Sequence, residues 1–225
     1  MSEEKSSLYN LSNRSFRLRG TRITEAQDRA TQLFWDEFGI SPNQDINPKE
    51  IFPTSTAVIM EIGTGMGEAT AEIARTFPET GFLALEVHRP GIGSLLARIN
   101  EFSLKNIRLI NEDARIILDQ KMPDESLDAI HLYFPDPWHK KKHWKRRIIQ
   151  SDFLDLIYRK LKSGGYIHIA TDWVAYAEWS ASKFETDLRF SGGVIPKPEF
   201  RPLTRFEDKG LGKGHLVTDL KYFKV

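Results

Sequence analysis

A chain of 225 residues, 40% hydrophobic and 28% charged, is long enough to bury a sizeable core and has an ordinary soluble composition. It contains no cysteine, which excludes disulfides, thiolate zinc sites and a cysteine nucleophile, and no apolar stretch approaches the roughly twenty residues of a membrane span. The net charge of +1 hides two local clusters, and clusters rather than totals set the field a polyanion meets. One comprises Arg14, Arg17, Arg19 and Arg22; the other comprises Lys140, Lys141, Lys142, Lys145, Arg146 and Arg147.

In chain order, the polar start Met1-Ser2-Glu3-Glu4-Lys5 lacks the apolar core of a signal peptide, so a cytoplasmic location is expected. Residues 1–23 form a basic arm without periodicity. Thr24 with Gln27 makes a capping box, which opens a helix. Its apolar positions, Ala26, Ala30, Leu33, Phe34 and Phe38, follow at helical spacing, and Gly39 supplies the stop. Residues 40–55, with Pro42, Pro48 and Pro53, read as a linker, dividing arm, helix and linker (1–55) from a larger domain (56–225). Beyond it apolar strands (57–60, 82–87, 107–110, 127–134, 166–171) alternate with helices (69–77, 90–102, 148–161, 174–184). The tail, 215–225, alternates Leu216, Thr218, Leu220 and Tyr222 and reads as a last strand. Such alternation predicts an α/β fold with a doubly wound, mostly parallel sheet, whose ligands bind beyond the carboxyl ends of the strands.

The residues at those ends carry chemistry. After the first strand stand Glu61-Ile62-Gly63-Thr64-Gly65-Met66-Gly67, a turn that lets the backbone approach a ligand closely. A dinucleotide fingerprint would need glycine where Glu68 stands, and no Gly-Lys-Ser/Thr follows. With acidic Glu61 and Glu68 beside it, the loop suits a nucleoside without phosphates, or else is a tight turn with no ligand. Glu86, about twenty residues beyond Gly65, can accept hydrogen bonds from ribose hydroxyls or can simply be solvated. Asp113 can accept from an adenine amino group or N-cap the helix after it.

The string Tyr133-Phe134-Pro135-Asp136-Pro137-Trp138-His139-Lys140 brackets one acid between two prolines. They fix the backbone and remove two N–H donors, so the carboxylate is held rigidly beside an aromatic face. The basic run from Lys140 to Arg147 adds phosphate-contacting charge, and its His143 and Trp144 can stack on an unpaired base. Asp172 beside Trp173 closes the fifth strand. Thr204-Arg205-Phe206-Glu207, followed by Gly210, Gly212 and Gly214, reads as a loop able to close over a purine edge. The histidines show no paired metal-ligand spacing, so no metal is expected, and His131 and His168 read as sheet residues.

Taken together, the strings MEIGTGMG, LEVHRPGIG, NEDA, YFPDPWHKKKHWKRR, ATDW and TRFEDKGLGKGH resemble the bacterial tRNA (guanine-N7-)-methyltransferases, in order and spacing, from about Val58 to the C-terminus. Thr64 takes the place of an aromatic common there. The resemblance implies a Rossmann-like class I methyltransferase domain on a seven-stranded sheet, preceded by a basic arm and helix. It implies S-adenosyl-L-methionine as cofactor, held by Glu61, Gly63, Gly65, Glu86, Asp113 and Asp136, with Asp136 also catalytic. Lys140, Asp172, Thr204, Arg205, Phe206 and Glu207 match substrate-contacting positions, and Lys142, His143, Trp144, Lys145, Arg146 and Arg147 match the RNA-interacting segment. The implied reaction methylates guanine N7 in tRNA, in the variable loop at position 46, giving 7-methylguanosine. The partner is then tRNA, with no membrane and no obligatory protein partner, in a monomer or homodimer. On the residues alone three other readings stay open: methylation of an exocyclic amine, nicotinamide-dependent oxidation, and RNA binding without catalysis.

Overall fold

The structure is a computed structural model and describes residues 14–17, 22–203, 207 and 216–225. The expectations for Arg19, for Thr204, Arg205 and Phe206, and for the glycines of 208–215 lie outside the described residues.

Helix α1 (Glu25–Phe38) starts as its sequence requires. The Thr24 hydroxyl accepts from the Gln27 N–H at 3.3 Å while the Gln27 side chain accepts from the Thr24 N–H at 3.0 Å. Gly39 ends it in extended backbone, φ −82°, rather than in the left-handed form of many helix stops. What demands glycine there is the Trp35 ring, which a Cβ would meet at 2.4 Å.

Gly39 enters a two-residue strand, β1 (Gly39–Ile40), and Pro48 opens a short helix, α2 (Pro48–Ile51), capped by the Asn47 side chain. Ile40, Ile46 and Phe52 of this stretch are buried in the main core. The segment read as a linker is therefore packed against the sheet, its prolines shaping a turn and a helix start.

The chain then alternates β2 (Ala57–Ile62), α3 (Glu68–Thr76), β3 (Thr80–Leu85), α4 (Arg89–Glu101), β4 (Ile107–Ile110), α5 (Ala114–Gln120), β5 (Leu127–Tyr133), α6 (Ser151–Lys160), β6 (Leu161–Thr171), α7 (Val174–Glu185), β7 (Phe190–Ile195) and β8 (Thr218–Lys224). Among the described residues, eight strands lie in the order β1-β4-β3-β2-β5-β6-β8-β7. All neighbouring pairs are parallel except those made by β8, which runs antiparallel to both β6 and β7. Seven of the strands form the expected sheet, and β1 adds a short eighth at its edge. Strand β7 had no sequence signal, because Gly192 and Gly193 interrupt its apolar pattern.

Helices cover both faces, as near-continuous apolar strands require. One core joins Met60, Ile130 and Ile167 to Ile117, Phe153 and Ile157 of α5 and α6. The other joins Phe82 and Leu109 to Ile73, Leu95, Leu96 and Ile99 of α3 and α4, with Ala30 and Phe38 of α1 outside them. From β2 the chain winds one way through β3 and β4, then returns to β5 on β2's other side. That reversal opens a crevice at the carboxyl ends of β2 and β5.

Candidate active site

The strand ends surround a cavity of about 500 Å³, and Glu61, Gly63, Gly65, Glu86, Asp113 and Asp136 all line it. Glu61 is 3% exposed and its Oε2 has no hydrogen-bond partner. Burial pushes its carboxyl up to about 7, with the Thr70 side chain opposing the rise and the charge of Glu86 adding to it. Gly63 and Gly65 are left-handed, φ +77° and +58°, a conformation cheap only for glycine. That turn aims the Gly65 N–H at Glu86 Oε2, 2.7 Å away, while the His88 N–H reaches Oε1 at 2.9 Å. Burial raises the Glu86 carboxyl and these N–H bonds oppose the rise. Each carboxylate oxygen has a second lone pair, so ligand hydroxyls can still be accepted. Asp113 Oδ1 accepts from the Arg115 N–H at 2.9 Å and caps α5, and the residue also lines the same cavity.

The turn after β5 is strained. Phe134 and Trp138 are left-handed non-glycine residues, φ +50° and +44°, on either side of Pro135-Asp136-Pro137. Each costs on the order of 1–3 kcal/mol and persists only where surroundings impose it. The imposing contacts are the Phe134 N–H on the Ala170 carbonyl (2.7 Å), Arg147 Nε–H on the Pro137 carbonyl (3.0 Å) and Trp138 Nε1–H on the Ser15 carbonyl (2.9 Å). The Arg146 guanidinium lies 3.7 Å over the Trp138 ring and donates to the Arg14 and Phe16 carbonyls. Arm residues 14–17 are thereby laid across the turn. Ser15, Phe16 and Arg17 line the cavity, and the Arg17 N–H donates to Asp136 Oδ2 at 3.2 Å.

Beyond the turn a 3-10 helix spans Lys141–Arg146. Lys140, Lys141, Lys142 and Lys145 are exposed, and His143, Trp144 and Arg146 are half-buried. Arg147, expected among the RNA-facing residues, is 2% exposed, with the rings of Trp144, Trp179 and Tyr176 4.7, 5.0 and 5.5 Å from its guanidinium. This cation points inward and ties Trp144 and the α7 rings to the Pro137 carbonyl of the turn. Asp172 is half-buried at the end of β6, and the adjacent Trp173 packs edge-on against His139 at 4.1 Å, joining the two strand ends. Neither Asp172 nor Lys140 lines the cavity. Glu207 is buried, with Oε2 2.6 Å from Arg201 and Oε1 2.9 Å from Lys197, so its carboxylate faces ion-pair partners, away from the cavity. The sequence singled out neither Tyr133 nor the Ser15-Phe16 pair as cavity lining, and nothing local marks them.

A family model described as "Putative methyltransferase" matches residues 55–220. Over 218 residues the chain is 47% identical to the tRNA (guanine-N(7)-)-methyltransferase of Neisseria meningitidis serogroup B, covering 94% of this chain and 91% of that protein. Over 216 residues it is 46% identical to the protein of the same name from Nitrosomonas eutropha, covering 94% and 96%. Among solved structures, a 16S rRNA (adenine(1408)-N(1))-methyltransferase from Catenulisporales acidiphilia, determined with the cosubstrate SAM, aligns with a TM-score of 0.58 at 15% identity. That match covers 81% of this chain and 93% of that one, a likeness of fold.

Proposed function

The chain belongs to the tRNA (guanine-N7-)-methyltransferases, and from that premise we propose that its strand-end cavity holds S-adenosylmethionine and that Asp136 serves the transfer to guanine N7. The observation that carries this reading is the convergence of Glu61, Glu86, Asp113 and Asp136 on one hollow beside a row of exposed lysines. When bound, the cofactor supplies an electrophilic methyl group on a positively charged sulfur. Glu61 offers a buried, unpartnered oxygen suited to an ammonium group. Glu86 accepts from ribose hydroxyls and Asp113 from an adenine amine, while the left-handed glycines admit the ligand close to the backbone.

Guanine N7 carries an in-plane lone pair and no proton at neutral pH, so no base need act before attack. The protein's work is alignment, which contributes roughly 7–11 kcal/mol in well-oriented reactions. Asp136, stiffened by its prolines and by the Arg17 amide, sets a fixed negative charge where positive charge passes to the purine. Exposed Lys140, Lys141, Lys142 and Lys145 take tRNA phosphates, and His143 and Trp144 stack on a base. Asp172 accepts from guanine N1–H and the exocyclic amine. Thr204, Arg205 and Phe206 remain base contacts on the strength of the family likeness, whereas Glu207 is committed to Arg201 and Lys197. Arg146 and Arg147 serve from within, ordering the arm and the turn.

The test is incubation with unmodified tRNA and labelled cofactor, followed by digestion and mapping of the labelled nucleoside. Label in 7-methylguanosine is expected, and Asp136→Ala should abolish it while tRNA binding survives. Label in another nucleoside would overturn the assigned target, and near-normal turnover in Asp136→Ala would overturn the role of that residue.

A further inference from the structure

Behind the Asp136 turn runs a chain of buried polar groups for which methyl transfer has no direct use. The Tyr133 hydroxyl is 3.0 Å from His168 Nδ1, and His168 Nε2 is 2.7 Å from Asp219 Oδ1. Arg201 grips both oxygens of Asp219 at 2.8 Å and reaches Glu207 at 2.6 Å. The guanidinium of Arg201 also lies 6.0 and 5.8 Å from the ring centroids of Tyr133 and Phe134. His168, Arg201 and Asp219 are 1%, 1% and 3% exposed.

Chemistry fixes the direction of the bonds to Asp219. The Asp219 carboxylate only accepts, so His168 Nε2 carries a proton and donates it. Burial holds the Tyr133 hydroxyl protonated, raising it well above its usual range, and that hydroxyl shares a hydrogen bond with His168 Nδ1. Burial opposes the charge of Asp219, yet the hydrogen bonds from His168 and Arg201 outweigh it and keep the carboxyl low. Among the described residues, two cations, Arg201 and Lys197, meet two anions, Asp219 and Glu207. Moving such charges out of water costs several kcal/mol per ion, and an apolar cluster of equal volume is often no less stable. General stability is therefore a poor account of it.

Its position gives a better one. Tyr133 is the last residue of β5 and lines the cavity, and the next residue is Phe134, whose left-handed backbone delivers Pro135-Asp136. We propose that Arg201, Asp219 and His168 are positioning residues for methyl transfer: they lock Tyr133 and Phe134 and, through them, the orientation of the Asp136 carboxylate. Three elements distant in sequence, β6, β8 and the segment before Glu207, thus brace one strained turn. The inference rests on the reading of Asp136 as the acid at the reacting centre.

Tyr133→Phe deletes only the hydroxyl, and Arg201→Lys keeps the charge but loses the two-pronged grip on Asp219. In the full chain, each should lower kcat about tenfold, as expected for a slightly misplaced reacting group, with KM for tRNA unchanged. Deuterium uptake across residues 133–138 should rise while uptake elsewhere stays as in the parent, a local signature that general destabilisation would not give. Should Arg201→Lys fail to fold, Tyr133→Phe decides alone. Parental kcat in Tyr133→Phe beside an inactive Asp136→Ala overturns this inference alone, as does a loss of kcat with no change in uptake at 133–138. Normal turnover in Asp136→Ala overturns the assignment of Asp136 and this inference with it.

Discussion

Single side chains in this protein do their work through burial. Glu61 sits under the glycine turn with its carboxyl raised from 4.5 to about 7, so between those values the folded chain holds a proton that the unfolded chain has released. The stability it contributes is fully present below about 4.5 and is lost as pH rises through about 7, a fall of up to about 3 kcal/mol. Urea melts of Glu61→Gln should lack that slope, and a variant as pH-sensitive as the parent would disprove the raised carboxyl. If Glu61 receives an ammonium, binding of S-adenosylhomocysteine should release a proton near neutral pH, read by calorimetry in buffers of different ionisation enthalpy. Arg147 and Lys145 make a second contrast, two apart in sequence and opposite in exposure. Arg147→Ala empties a slot among three rings and frees the Pro137 carbonyl, so a loss of about 2–4 kcal/mol is expected in denaturant melts. Lys145→Ala should leave the melt unchanged.

At the scale of elements, local signals that depend on neighbours in sequence were readable. The Thr24 and Gln27 side chains alone define the start of α1, and β4 falls at Ile107–Ile110 as its apolar run predicts. Helix α2 and strand β7 escaped notice, since four residues behind a proline and a strand with paired glycines both imitate loops. The 3-10 helix that carries the lysines puts charge and anchor on one short element. Replacing Lys140, Lys141, Lys142 and Lys145 together by Ala should weaken tRNA binding and lower the slope of log K against log salt by about 3, given roughly 0.7–0.9 per phosphate contact. An unchanged salt slope by filter binding or fluorescence anisotropy would move the RNA-binding surface elsewhere.

Across the whole molecule, strand order turns scattered acids into a site. Glu61 near the end of β2 and Glu86 just after β3 stand on adjacent parallel strands, and Asp113 and Asp136 follow the next strand on either side. The stretch before β2 belongs to this architecture, because Ile46 and Phe52 fill the core and β1 pairs with β4. A chain beginning at residue 56 should therefore melt well below the full protein, and Phe52→Ala in the full chain should cost about 3–5 kcal/mol. A truncated chain as stable as the full one in thermal melts would show the two parts to be independent.

By itself the sequence determined what chemistry was at hand: the glycine turn, the proline-bracketed Asp136, the acids at the strand ends and the density of lysine. These are properties of adjacent residues and survive in a string of letters. Only the tertiary structure decided which charges face outward, turning Arg147 and Glu207 inward, laying Ser15 to Arg17 across Asp136 and joining Tyr133 to Arg201 through His168 and Asp219. Those contacts arise between residues that the order of strands makes neighbours, and side chains of the same type acquire opposite roles according to whether water or an ion pair receives them.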